Sequence, residues 1–181
     1  MLDLETLDTC PTALVTAIGA VMFDPYSTYI GHKFYAVTTD WPCQQRKGRT
    51  ISGDTVAWWL EQSDEARKAL ASPPFGVALS THAALNGFCE FFDGHGGDTD
   101  VWGNGADFDN VILGSLYGSF NLTRPWTYSK NRCFRTINSL PKSKLFVKPE
   151  REGTHHNALD DAVYQARVLQ AIFADQRAQR T

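Results

Sequence analysis

Met1-Leu2-Asp3-Leu4-Glu5-Thr6 opens the chain with the alternation of a β-strand. In such a strand Asp3 and Glu5 share one face, while Leu2 and Leu4 point to the opposite face and into a core. Two carboxylates about 7 Å apart on one face repel each other, and a divalent cation between them would remove that repulsion. Alone, this pattern is more often a half-exposed strand with two solvated acids, so partners elsewhere in the chain decide its meaning.

Length and composition indicate one domain over residues 1–181 with a substantial core. The formal net charge of -3 argues against a protein that coats polyanions but does not exclude a nuclease, whose acidic site is neutralised by metal. No apolar run has the length of a membrane span and no signal peptide is recognisable, so we expect a cytoplasmic protein without membrane contacts. Its four cysteines form no C-x-x-C pair, which suggests neither zinc nor a disulfide framework.

The order of predicted elements runs from strands to helices interleaved with short strands. Strands are predicted at 1–6, 13–23, 31–37, 100–103 and around 126–128, and helices at 54–72 with a restart near Ser63, 81–93, after Asp109, 133–140 and 157–177. Residues 38–53 are expected to form a loop. Pro73-Pro74 and the glycines within 94–97 are expected to end the helices before them. This order predicts one α/β layer structure with a mixed sheet that begins as an antiparallel meander.

Further acidic residues follow strand ends or begin helices. Asp109 comes after the short apolar strand at 100–103, and Asp161 lies early in the last helix, five residues after His156. Loops at strand ends commonly build the sites of α/β sheets. We therefore expect these residues to meet Asp3 and Glu5.

Three segments together resemble the motifs of the DEDDh 3′-5′ exonucleases, an RNase T-like family of the ribonuclease H-like superfamily. They are Asp3-Leu4-Glu5-Thr6, the segment 104–109 (Asn-Gly-Ala-Asp-Phe-Asp), and the segment 156–162 (His-Asn-Ala-Leu-Asp-Asp-Ala). The order and spacing match over nearly the whole chain. Within the family, Trp58-Trp59-Leu60 and the segment 131–136 resemble the branch that contains RNase AS and phage 3′-5′ exonucleases.

The resemblance implies a ribonuclease H-like fold: a mixed central sheet whose first three strands are antiparallel, with helices on both sides. It implies two divalent ions, Mg²⁺ or Mn²⁺, held by Asp3, Glu5, Asp109 and Asp161. His156 would act as the general base, and nucleoside 5′-monophosphates would be released from the 3′ end of single-stranded RNA or DNA. Related enzymes are dimers, so a homodimer is expected.

Two ambiguities in the motifs are resolved by the same resemblance. Asp107 and Asp109 both lie in the second motif, and the family places its ligand directly after Phe, which selects Asp109. His155 and Asp160 have the same spacing as His156 and Asp161. The latter pair is chosen because Asp161 precedes Ala162 as in the family, and His155 is expected to be solvated.

Substrate-binding residues are named from the resemblance and from residue chemistry: Thr6, Leu7, Trp59, Asn104, Phe108, Arg132 and Arg135. Because Trp58 and Trp59 are adjacent, one should lie in the core and the other should stack on a base, pack, or contact a second subunit. Arg132 and Arg135 are expected either to contact phosphate or to be solvated. The basic run from Lys142 to Arg151 is expected to be a solvated loop, although its position before the general base would also allow it to guide substrate.

Two other functions stay open at this stage. One is a catalytically silent nucleic-acid-binding module on the same scaffold, and the other is a phosphohydrolase of small nucleotides. RNA and DNA are equal candidates as substrates, because discrimination depends on a contact to the 2′-hydroxyl. Asp3 lies close to the start of the chain, so we expect metal binding to stabilise this strand. We also expect the natural gene product to begin a few residues upstream of Met1.

Overall fold

The computed structural model describes residues 1–70, 78–94 and 99–180. Its first three strands form the predicted antiparallel meander: β1 (Leu2–Thr6), β2 (Val15–Phe23) and β3 (Ile30–Val37). Asp3 pairs with Gly19 and Glu5 with Ala17, and the register shifts after Glu5. The acidic strand therefore lies at one side of this sheet and pairs with the long apolar strand β2.

A second pair of strands extends the fold beyond β1. β4 (Val101–Gly103) and β5 (Asn131–Cys133) pair in parallel. The side chain of Asp109 connects β1 to the end of β4, because it accepts hydrogen bonds from the backbone N–H groups of Leu4 and Asn104. The named strands thus form a three-stranded antiparallel sheet and a two-stranded parallel sheet. The mixed α/β arrangement agrees with the expected ribonuclease H-like fold.

Seven α-helices occur in the described parts of the chain. They are α1 (Trp41–Arg46), α2 (Gly53–Leu60), α3 (Asp64–Ala69), α4 (Thr81–Asp93), α5 (Asp109–Ser119), α6 (Phe134–Asn138) and α7 (Ala158–Ala178). Side chains cap three of them: Ser63 for α3, Ser80 for α4 and Asn157 for α7 accept hydrogen bonds from the first-turn N–H groups. None of the described helices is long and apolar enough to cross a membrane.

Helices cover both faces of the antiparallel sheet, as expected. Leu2 and Leu4 of β1 point to one face, where they pack in the same buried cluster as Phe88 of α4 and Ile112 of α5. The opposite face packs against α7, where Val21 of β2 contacts a cluster of small and branched side chains, Ala162, Ala166, Leu169 and Ile172. Alternation along the strands therefore separates two cores, and Asp3 and Glu5 lie on the α7 side.

Two predicted segments differ from the structure. The expected loop at 38–53 contains α1, which has Pro42 in its first turn. The buried side chain of Gln44 holds this helix, because its Oε1 accepts from Val15 N and its Nε2 donates to Val15 O. The strand expected around 126–128 is displaced: a 3-10 turn spans Tyr128–Lys130 and β5 follows. Pro73-Pro74 and three of the four residues at 94–97 lie outside the described residues, while Gly94 does end α4.

One close contact fixes the start of α7 on the sheet. A Cβ atom on Gly19 would lie 2.1 Å from the carbonyl carbon of Ala158, which is the first residue of α7. Only glycine admits this approach of helix to strand. Because Gly19 is also the pairing partner of Asp3, the contact brings the start of α7 next to the acidic strand.

Candidate active site

A cavity of about 670 Å³ lies where β1, the end of β4 and the start of α7 meet. It brings together ten of the twelve residues expected in the site: Asp3, Glu5, Thr6, Trp59, Asn104, Phe108, Asp109, Arg135, His156 and Asp161. These residues come from all three motif segments. The first and third segments lie more than 150 residues apart in the sequence. Their meeting was expected because loops at strand ends commonly build the sites of α/β sheets.

Asp3, Glu5 and Asp161 form the centre of the cavity. Each contributes a carboxylate oxygen, and these oxygens lie within 4.8 Å of one another. Burial, reinforced by the neighbouring carboxylates, raises the pKa of Asp3 well above its ordinary value and the pKa of Glu5 to about 8. Three acids held this close in a buried place are costly to ionise without a cation.

The set of donors fits a divalent metal ion. Glu5 Oε1 is buried and has no hydrogen-bond partner among the described residues. An unpartnered carboxylate oxygen beside two others is the kind of hard ligand that Mg²⁺ and Mn²⁺ take. His155, His156 and Asp161 form a second group with ligand atoms within 4.8 Å.

Asp109 is placed differently from the other three acids. It is 2% exposed, and its two oxygens accept from Leu4 N at 3.2 Å and from Asn104 N at 2.9 Å. Burial raises its pKa to about 7 against these hydrogen bonds, which lower it. Gly103 makes room for the carboxylate, since a Cβ there would lie 3.1 Å from Asp109 Oδ2. Asp109 lines the cavity but belongs to neither three-residue ligand group.

His156 stands directly before the cap of α7. Its backbone takes the left-handed conformation with a φ of 64°, and its N–H donates to Asp161 Oδ2 at 3.1 Å. The ring lies edge-on to Trp58, with 4.9 Å between the centroids. Burial and the neighbouring ring of His155 lower the pKa of His156, so the neutral, proton-accepting ring prevails near pH 7.

Gln165, Arg151 and Tyr164 are among the lining residues that were not predicted from the sequence. Gln165 donates to Asp3 Oδ1 at 2.7 Å, and Arg151 pairs with Asp161 and lies over the ring of Tyr164 at 4.1 Å. Tyr164 and Gln165 follow Asp161 by three and four residues, the spacing of one helix face, so the helical pattern could have identified them. Arg151 was expected in a solvated loop, and no periodicity connects it to Asp161.

One of the two adjacent tryptophans is buried and the other is exposed, as expected. Trp59, which was named for substrate binding, is the buried one. Trp59 is 4% exposed and donates from Nε1 to Thr6 O at 2.9 Å, which makes it a core residue at the cavity wall. Trp58 is 42% exposed and lines the same cavity. The side chain available to a base is therefore that of Trp58.

Two other expected substrate contacts lie outside the cavity. Leu7 is 6% exposed and packs with Leu14 and Trp59, because the register shift after Glu5 turns the chain into the core. Arg132 pairs with Asp100 at 2.9 Å on the far side of β5. Arg135 does line the cavity and donates to Asn104 O at 2.7 Å.

Comparisons with known proteins agree with the geometry. The family profile of the Rv2179c-like 3′-5′ exoribonuclease domain matches residues 1–173, a range that contains all three motif segments. An exodeoxyribonuclease of Enterobacteria phage T4 is 28% identical over 124 residues, which cover 64% of this chain and 54% of that protein. The chain thus spans about half the length of this relative. No solved structure matches the chain.

Proposed function

Because the chain belongs to the family of Rv2179c-like 3′-5′ exoribonuclease domains, we propose that it is a metal-dependent exonuclease acting as a single domain on single-stranded 3′ ends. The observation that carries the proposal is the cluster of Asp3, Glu5 and Asp161, whose carboxylates come from the first and third motifs and lie within 4.8 Å. The products would be nucleoside 5′-monophosphates.

Asp3, Glu5 and Asp161, with Asp109 beside them, would hold two divalent ions, Mg²⁺ or Mn²⁺. When bound, such ions stabilise charge on the attacking and leaving oxygens of an in-line phosphoryl displacement. Gln165 holds Asp3 by its hydrogen bond, and the backbone of His156 holds Asp161. The protein thereby fixes the orientation of two ligand carboxylates before any ion binds.

His156 is proposed to accept the proton of the attacking water on a ring nitrogen. Its lowered pKa keeps the ring neutral at pH 7, and the edge-on contact with Trp58 limits its rotation. Trp58 can stack on the terminal base from the open side of the cavity, since base stacking tolerates any sequence. Asn104 of the second motif and Arg135 of α6, which line the cavity, would contact the sugar-phosphate backbone.

The test is digestion of 5′-labelled RNA and DNA oligonucleotides of one sequence with Mg²⁺ or Mn²⁺. A ladder that shortens one nucleotide at a time, with 5′-monophosphates as products, is expected. Intact oligonucleotides with both metals, from protein that is folded by circular dichroism, would contradict the proposal. The two substrates side by side also determine the preference, which is open because the family is described as exoribonucleolytic and the phage relative as an exodeoxyribonuclease.

A homodimer is part of the proposal and is tested separately. Arg132 does not line the cavity of its own chain and pairs with Asp100, so a substrate contact by this residue would be made in the site of a second subunit. Light scattering coupled to gel filtration should give twice the mass of 20.2 kDa. A monomer at working concentration would remove Arg132 from the set of substrate-binding residues.

A further inference from the structure

A positively charged side chain, that of Arg151, lines the cavity beside the acidic cluster. Arg151 Nη1 is hydrogen-bonded to Asp161 Oδ1 in an ion pair, and the Asp161 side chain is 10% exposed while that of Arg151 is 30% exposed. Arg151 and Arg135 are the fixed positive charges among the described residues that line the cavity. Arg135 donates to a backbone carbonyl rather than to a carboxylate, so Arg151 is the one that neutralises the acidic cluster directly.

The ion pair uses the carboxylate that the metal would need. Asp161 Oδ1 is taken by Arg151, and Oδ2 accepts from the backbone of His156. Glu5 Oε1, by contrast, has no partner among the described residues. A divalent ion that approaches Asp161 Oδ1 therefore competes with the Arg151 guanidinium for that oxygen.

Arg151 has a second contact that does not depend on Asp161. Its guanidinium lies over the ring of Tyr164, with 4.1 Å from Cζ to the ring centroid. The described segment between α6 and α7 contains no helix or strand, and Leu145 and Val147 within it are 89% and 80% exposed. Phe146 and Ser143 attach this segment to α7, but residues 150–153 are exposed, so Arg151 can turn about the Tyr164 ring without disturbing the core.

We propose that Arg151 is an internal counter-ion that neutralises Asp161 until a divalent metal displaces it, and that the displaced guanidinium then binds a phosphate of the substrate strand. A planar guanidinium is suited to both partners, because it pairs with a carboxylate and with phosphate oxygens through the same fork of N–H donors. The second half of this proposal rests on the proposed nuclease function. The first half requires only that the acidic cluster binds metal.

The first half is tested by titrating Mn²⁺ alone into the wild type and Arg151→Gln by calorimetry. Removal of the competing cation should make Mn²⁺ bind roughly tenfold more tightly. Arg151→Lys, which keeps the charge, should bind Mn²⁺ close to the wild-type affinity. Arg177→Gln is the matched control, because Arg177 lies over the ring of Tyr26 far from the acids. Unchanged or weaker binding in Arg151→Gln would overturn the counter-ion role and show that the arginine only orients Asp161.

The second half is tested by binding of uridine and thymidine 5′-monophosphates at saturating Mn²⁺. Arg151→Gln should weaken binding of both by roughly tenfold, and Arg151→Lys should recover part of the loss. Equal affinity of the wild type and Arg151→Gln would overturn the phosphate contact. Neither measurement needs turnover, so an absence of exonuclease activity would leave both results readable. In an active enzyme, Arg151→Gln should raise KM more than it lowers kcat.

Discussion

At the scale of single residues, His156 joins three features of the site. Its left-handed backbone ends the preceding loop, its N–H fixes Asp161, and its ring contacts Trp58. A histidine with positive φ is uncommon, and such conformations are kept where the surrounding contacts determine them. The backbone of His156 therefore orients Asp161, a proposed metal ligand, and its ring supplies the proposed general base.

Substitution His156→Ala is expected to lower kcat by about 10²- to 10⁴-fold, the usual contribution of a general base. The backbone N–H to Asp161 is retained, so Mn²⁺ affinity should change little. His155→Ala removes the exposed neighbouring ring and should retain most of the activity. Steady-state digestion of a labelled oligonucleotide measures both variants. A larger loss in His155→Ala than in His156→Ala would reverse the assignment of the two histidines.

The sequence predicts the acids of the site better than the residues around them. Alternation in β1 indicates that Asp3 and Glu5 share a face, and the resemblance to the DEDDh motifs selects Asp161 over Asp160. Arg151 could not be placed, because it lies in a segment with no period, and its position depends on a contact with Tyr164. Leu7 was named from the resemblance, but it follows the end of β1 and packs with Leu14 and Trp59 instead of lining the cavity.

At the scale of elements, α2 presents its two tryptophans to different environments. Trp58→Ala is expected to raise KM for single-stranded substrate several-fold with little effect on Tm, because the side chain is exposed and available for stacking. Trp59→Ala should cost about 3–5 kcal/mol of stability, since it empties a buried site and loses the bond to Thr6 O. Oligonucleotide kinetics and thermal melts of both variants separate the roles. A similar loss of stability in both would contradict this division.

The contact of α7 with β2 is also decisive for the site. Gly19→Ala would place a methyl group 2.1 Å from the backbone of Ala158, so α7 must shift away from the strand that pairs with Asp3. We expect a loss of stability of about 1–3 kcal/mol and a fall in Mn²⁺ affinity. Gly118→Ala in α5 is the control, because a Cβ there meets nothing within 4 Å. It should be neutral or stabilising. A Gly19→Ala protein that melts and binds Mn²⁺ like the wild type would refute the argument.

Long periodic elements were predicted closely, whereas short ones were not. The helix predicted at 81–93 has those bounds, and the one predicted at 157–177 is found as Ala158–Ala178. α1 was missed because its six residues are too few for a period and are held by the tertiary bonds of Gln44. β5 was placed five residues early because its three residues depend on pairing with β4, which local sequence does not show.

At the scale of the whole molecule, the acidic cluster is expected to lower the stability of the metal-free protein as the pH rises. A carboxyl whose pKa is higher in the folded than in the unfolded protein contributes stability that is complete below the unfolded pKa and is lost as the pH rises through the folded pKa. For Glu5 these values are 4.5 and about 8. The metal-free protein should therefore lose stability from Glu5 between these pH values.

Glu5→Gln tests this trade directly. In EDTA the variant should melt close to the wild type at pH 4.5 and several degrees above it at pH 8, since 1 kcal/mol corresponds to about 2–4 °C in a chain of this size. Glu5 also raises the pKa of Asp3, so the difference between the two proteins reports Glu5 together with its effect on Asp3. With saturating Mn²⁺ at pH 8 the order should reverse, because the ion stabilises the protein that binds it more tightly. A wild type that melts above Glu5→Gln in EDTA at pH 8 would contradict the raised pKa.

The hydrogen bonds of Asp109 affect the choice of an inactive protein for trapping uncleaved substrate. Because this carboxylate accepts from the N–H groups of Leu4 and Asn104, it joins β1 to the residue that follows β4. Alanine at this position would leave these two N–H groups without that acceptor, and an asparagine oxygen replaces only part of it. An insoluble Asp109 variant would then be mistaken for a catalytic defect. Glu5→Gln, whose Oε1 supports no such bond among the described residues, is the better substitution for crystallising a substrate complex.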